Sequence, residues 1–143
     1  MSDKRFFDTN ILFYAYDTSD PAKQATAEAL VRQAAADGSG VVSTQVLGEF
    51  FHATVTRKAV LDSREAERAI RALGCLQVVD IDLLLVEAAI GYHRQYQLRY
   101  WDALVLAAAR RAACVELLTE DFNEGQDYDG VRARNPFRAS AVP

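Results

Sequence analysis

The sequence predicts an open α/β sandwich, a mostly parallel sheet flanked by helices, and three observations carry that expectation. Short apolar runs of strand length alternate with longer helical segments along the whole chain. Helix start and stop residues stand at the junctions: Asp20-Pro21 opens one helix that Gly38 closes, and Gly74 closes another. At 143 residues, half of them apolar, the chain is long enough for one domain, 1–143, that buries roughly two-thirds of the surface its unfolded form would expose.

Taken in order, Arg5-Phe6-Phe7 is a short buried strand, and Asp8 to Tyr16 is a turn into a brief helix carrying Ile11, Leu12 and Tyr14. Asp20 as N-cap and Pro21 in the first turn start an alanine-rich helix that runs to Ala36 and ends at Asp37-Gly38. Gly40 to Ser43 is the second strand, followed by a helix from Thr44 to Arg57. Asp62 and Ser63 precede Glu65 and Ala66, so a capped helix runs to Leu73 and stops at Gly74. Leu76 to Val79 is the third strand. Asp80 or Asp82 begins a helix reaching Tyr96, and another occupies Trp101 to Ala113 before the strand Val115 to Leu118. A last strand is expected around 130–134; Asn135-Pro136 ends regular structure and 137–143 reads as a loose tail. There are no internal repeats and no low-complexity segment.

Composition narrows the function. The longest apolar stretch, Ala103 to Ala109, falls far short of the ~20 residues of a bilayer span, and Met-Ser-Asp-Lys-Arg leads into a strand rather than a signal peptide, so no membrane association and a cytoplasmic location are expected. Cys75 and Cys114 are isolated, without zinc or thioredoxin-like spacing, and read as small core residues. The net charge of −4 disfavours a generic nucleic-acid coat protein. There is no GxSxG elbow, GxxxxGK[ST] loop, GxGxxG or HExxH. His52 and His93 read as structural or surface residues, and Phe13-Tyr14-Ala15-Tyr16 as core or oligomer contact. Arg110, Arg111, Arg132, Arg134 and Arg138 fit phosphate contacts or solvated charges.

Four carboxylates stand where solvated acids are not expected. Asp8 and Asp121 each follow a strand, at the carboxyl ends outside which α/β sheets place their functional crevice, and Glu49 lies within two turns of a third such end. Asp102 shares a helix face with Val105, Leu106 and Ala109, all apolar, so it needs a positive partner or a shifted protonation state. Glu49 stands among Val46, Phe50 and Ala53. If these four hold cations, the remaining acids and bases balance at sixteen each, and an anionic substrate is compatible with the surface. Oxygen ligands without His or Cys suit Mg²⁺ or Mn²⁺ rather than zinc.

The order and surroundings of these acids resemble a known family: Phe7-Asp8-Thr9-Asn10 at the start, Glu49-Phe50 in mid-chain, then Tyr100-Trp101-Asp102-Ala103-Leu104 and Thr119-Glu120-Asp121-Phe122. The chain resembles the PIN-domain ribonucleases of the VapC toxin kind, over nearly its whole length. The resemblance implies a PIN-like three-layer sandwich. It also implies an acidic quartet, Asp8, Glu49, Asp102 and Asp121, that binds one or two Mg²⁺ or Mn²⁺ ions and hydrolyses RNA. Thr9, Asn10 and Thr119 would orient carboxylates or water. A homodimer and a cognate antitoxin partner come with the resemblance. Many members carry a further Asp two residues after the last acid; here Asn123 and then Glu124 follow, and Glu124 reads as a loop acid. Two alternatives are a PIN-like module that binds RNA or protein without turnover, and a receiver domain phosphorylated on Asp. The second lacks paired acids after the first strand and any lysine beyond Lys58.

Overall fold

The computed structural model describes residues 3–138. The strands are β1 (Arg5–Phe7), β2 (Gly40–Ser43), β3 (Gln77–Val79), β4 (Glu116–Leu118), β5 (Asp127–Tyr128) and β6 (Val131–Arg134). They form one sheet in the order β3-β2-β1-β4-β6-β5, parallel except for the β5–β6 hairpin. Consecutive residues of β1, β2 and β4 are buried, so both faces of the central sheet are covered, as a parallel sheet requires.

The helices are α1 (Thr9–Tyr14), α2 (Pro21–Asp37), α3 (Thr44–Phe51), α4 (Ser63–Leu73), α5 (Leu83–Tyr96) and α6 (Tyr100–Arg111). Their starts follow the side-chain chemistry. Asp20 accepts from the Lys23 amide, Asp62 forms a reciprocal capping box with Glu65, and Asp82, not Asp80, caps α5 by accepting from the Leu85 amide. Gly38, at φ 73°, ends α2 in the left-handed conformation that glycine adopts without strain. α6 is the most enclosed helix, with Ala103 to Ala109 buried without a break. It packs against α5 and against β2, β4 and β6.

Two expected elements differ. The helix read from Thr44 to Arg57 is α-helical only to Phe51 and continues as a π-helical segment, His52–Arg57. There Thr54 Oγ1 donates to the Phe50 carbonyl at 2.8 Å, and the Lys58 amide bonds back five residues to Ala53. The strand expected around 130–134 has a partner that periodicity did not show, the two-residue β5. Cys75, read as a core residue, is exposed, because it lies in the turn between α4 and β3; Cys114 is buried as expected. Phe137, at the start of the segment expected to be loose, packs edge-on against Tyr14 at 5.1 Å between ring centres, and 139–143 lie outside the described residues. Among the described residues no helix is long and apolar enough to cross a membrane.

Candidate active site

The chain leaves β1 for one side of the sheet, through β2 to β3, and later returns to place β4 on the other side of β1. The carboxyl ends of β1 and β4 therefore meet at a topological switch point, where a crevice opens in open α/β sheets. Asp8 directly follows β1, and Thr119 to Asp121 directly follow β4. The Asp8 amide donates to the Leu118 carbonyl at 3.0 Å, which carries the β1–β4 pairing on to the acid itself. The first turn of α6 brings Asp102 to the same place. One carboxylate oxygen from each of Asp8, Asp102 and Asp121 lies within 4.8 Å of the others.

Glu49, the fourth expected acid, lines the same groove from α3 but does not join this tight cluster. The groove has a volume of about 870 Å³. The expectation that all four acids are shielded from water holds unevenly. Asp8 is buried at 4% exposure, Asp102 and Glu49 are intermediate, and Asp121 is exposed at the rim because it follows the last turn of backbone held by β4.

Each acid is held by a different neighbour. Thr119 Oγ1 donates to Asp8 Oδ2 at 2.7 Å while accepting the Asp121 amide at 3.0 Å, so one hydroxyl ties two of the acids together. Asp8 Oδ1 accepts the Thr9 amide at 2.7 Å as the N-cap of α1. Thr9 Oγ1 donates to Glu49 Oε1 at 2.9 Å, and Asn10 Nδ2 donates to Asp121 Oδ2 at 3.0 Å. The three polar residues singled out in the sequence thus each contact a carboxylate. The positive partner that Asp102 demanded is Arg99, whose Nε and Nη2 donate to its two oxygens, both at 3.2 Å.

Electrostatics follow from this crowding. Burial raises the pKa of Asp8 from 3.8 to about 7, against the opposing hydrogen bonds from Thr119 and Thr9 and with help from the charges of Asp121 and Asp102. Asp121 is also raised, first by partial desolvation and then by Asp102, with Arg99 pulling the other way. Two carboxylates at such separations repel by roughly 3–4 kcal/mol at an effective dielectric of about 20. Three convergent oxygen donors, too close to remain comfortably charged together, fit a hard divalent cation.

Sequence reasoning missed the groove's basic residues. Arg57, Lys58 and Arg99 line it. The arginines singled out for phosphate lie elsewhere: Arg110 pairs with Asp129, Arg111 with Asp82, Arg132 with Asp127 and Arg134 with Glu116. The i,i+3 spacing of Arg99 and Asp102 was the available signal. His52 lines the groove as an exposed residue, and His93 is exposed, with Nδ1 2.6 Å from the Leu98 carbonyl. Glu124 accepts the Asn135 amide at 2.7 Å, as a loop acid.

The fold is similar to that of a toxin–antitoxin complex from Klebsiella pneumoniae, with TM-score 0.68 and 22% identity, covering 94% of this chain and 98% of that one. VapC20 from Mycobacterium tuberculosis, a sarcin–ricin loop cleaving toxin, matches with TM-score 0.61 and 22% identity over 84% of this chain and 90% of its own. VapBC2 from Rickettsia felis, bound to a DNA fragment from their promoter, matches with TM-score 0.62 and 16% identity over 92% and 97%. No curated protein matches the sequence. These structural likenesses show a shared fold. The PIN domain family model matches residues 5–124, a span that takes in the switch point and all four acids, and the chain belongs to that family.

Proposed function

We propose that this PIN domain is a Mg²⁺- or Mn²⁺-dependent endoribonuclease, the toxin component of a bacterial type II toxin–antitoxin pair. The observation that carries the reading is the convergence of Asp8, Asp102 and Asp121 oxygens within 4.8 Å at the sheet's switch point, in a groove shared with Arg57, Lys58 and Arg99. Asp8, Asp102 and Asp121 would hold the cation, with Glu49 completing the acidic quartet. Held by these acids, a divalent ion would supply a lowered pKa for a bound water and would offset charge on a phosphodiester.

The chain's own residues do the rest. Thr119 and the Thr9 amide fix Asp8 so that its carboxylate does not turn away, and Asn10 does the same for Asp121. Glu49, steadied by Thr9, faces the groove with acceptor capacity to spare for a water hydrogen. Arg99, Arg57 and Lys58 supply positive charge for the phosphates on either side of the cut. The toxin role is supported by the folds it resembles, among them a toxin–antitoxin complex and a toxin that cleaves the sarcin–ricin loop. A cognate antitoxin, a homodimer and a cytoplasmic location belong to the same reading.

Incubation of labelled total RNA with the purified, antitoxin-free chain tests it, using wild type and Asp8→Asn, each with Mg²⁺, Mn²⁺ or EDTA. Cuts should require both the metal and Asp8. Equal cutting by the variant or in EDTA overturns the assignment, and folded protein that cuts nothing under any condition is a binding module instead.

A further inference from the structure

The groove carries one exposed large apolar group that the acids do not need. Trp101, the sole tryptophan of the chain, is 55% exposed and lines the groove one residue before Asp102. It is not loosely held. It sits in the first turn of α6, the Tyr100 ring meets it edge-on at 4.9 Å, and its carbonyl accepts Gln45 Nε2 at 3.1 Å. An indole presented so openly from a rigid helix start leaves favourable burial unrealised.

Its neighbours indicate what would cover it. Arg99, with its side chain 72% exposed, is two residues away, and Arg57 and Lys58 line the same groove from the end of the π-helical segment. Cations for phosphates beside an aromatic face for a base are the two components of single-stranded nucleic-acid binding. An apolar protein segment would gain nothing from those cations, whereas a polyanion gains from both. Resting on the nuclease reading above, we propose that Trp101 is a substrate-positioning residue, its indole stacking on an unpaired base next to the phosphate held by the acids. A base inside a duplex has both faces covered by its neighbours and cannot reach the ring, whereas a splayed base can.

The single tryptophan makes the test direct. In an Asp8→Asn background with Mg²⁺, indole emission is followed while a short unstructured RNA of mixed sequence is added, and again with the same RNA annealed to its complement. Binding is measured independently by anisotropy of labelled RNA, with and without Trp101→Ala and Trp101→Phe. The single strand should quench the indole and the duplex should not. Trp101→Ala should weaken binding roughly 5- to 150-fold, the range of one base–aromatic stack, and Trp101→Phe should weaken it less. Circular dichroism confirms that the variants fold. RNA that binds without quenching, and equally well to Trp101→Ala, overturns the stacking proposal and leaves the nuclease reading standing. Equal quenching by duplex overturns the choice of unpaired RNA. An emission shift that tracks protein concentration without RNA places a second copy over the ring and likewise overturns it. Failure of any form to bind RNA overturns the nuclease reading first and the proposal with it.

Discussion

Asp8 accepts hydrogen bonds from Thr119 Oγ1 and the Thr9 amide, both of which favour its charged form, yet burial outweighs them and lifts its pKa to about 7. A folded-state value above the unfolded 3.8 means that the native chain holds the extra proton between about pH 4 and 7. Without metal, stability is therefore greatest below that window and is lost as pH rises through it. The full shift corresponds to about 4 kcal/mol as an upper bound. Urea unfolding in EDTA should show wild type losing on the order of 1–3 kcal/mol from pH 5 to 8, since that window covers about two of the three units of the shift. Asp8→Asn should lose clearly less, keeping only the contribution of Asp121, which shifts in the same direction. Parallel losses in the two proteins would remove Asp8 as the source. Arg99 yields a second expectation at this scale, because a cation bound at Asp102 must compete with its guanidinium. The arginine is largely exposed, so the pair contributes only about 0.4–1 kcal/mol. Calorimetric Mn²⁺ titration should accordingly find Arg99→Ala binding roughly two- to fivefold more tightly; weaker binding would make Arg99 a support rather than a competitor. The need for such a partner was legible from Val105, Leu106 and Ala109 around Asp102. Its identity was only weakly marked, because the i,i+3 spacing of Arg99 to Asp102 is a signal that many solvated surface pairs also show.

The helix starts were legible because capping is local: Asp20, Asp62 and Asp82 each accept an amide three residues on. The change from α3 to π-helix was not. Over six residues an apolar pattern does not distinguish the two periods, and the shift is marked by Thr54 donating to Phe50 and Phe51 carbonyls. That widened turn matters to the site, since it carries His52, Arg57 and Lys58 to the groove. β5 escaped for a different reason, being two residues long and opening on Asp127, a residue with low strand preference. Gly40 links sequence to packing at the start of β2. A Cβ built there would lie 2.8 Å from Leu76 Cδ2 and 3.0 Å from Ala34 Cβ, so the strand approaches α2 too closely for a side chain. Gly40→Ala should cost about 1–3 kcal/mol in urea unfolding through overpacking. Mn²⁺ should stabilise that variant as much as it does wild type, because the contact lies away from the acids. Unchanged stability would mean that α2 and Leu76 yield more readily than this packing implies.

At the scale of the molecule, strand order makes the site. Alternation along the sequence establishes a mostly parallel sheet, and the strand ends bearing Asp8 and Asp121 are readable from it. That β1 and β4 are neighbours is a tertiary outcome, and it brings into contact two acids 113 positions apart in the chain. The same geometry explains why Glu49, reaching in from the second turn of α3, stands outside the tight three-acid cluster although its place in the sequence motif is as good as theirs. The fold thus concentrates like charge at one point of its sheet, a cost that a bound divalent cation would reverse. Thermal denaturation of wild type and Asp8→Asn in EDTA and across a Mn²⁺ titration tests that claim most directly. Wild type should melt lower than the variant in EDTA and rise steadily with Mn²⁺, as binding to the native state alone requires, while the variant should start higher and respond little. If Asp8→Asn melts lower in EDTA like an ordinary core lesion, or if both proteins gain equally from Mn²⁺, the acidic cluster is not a strained cation site.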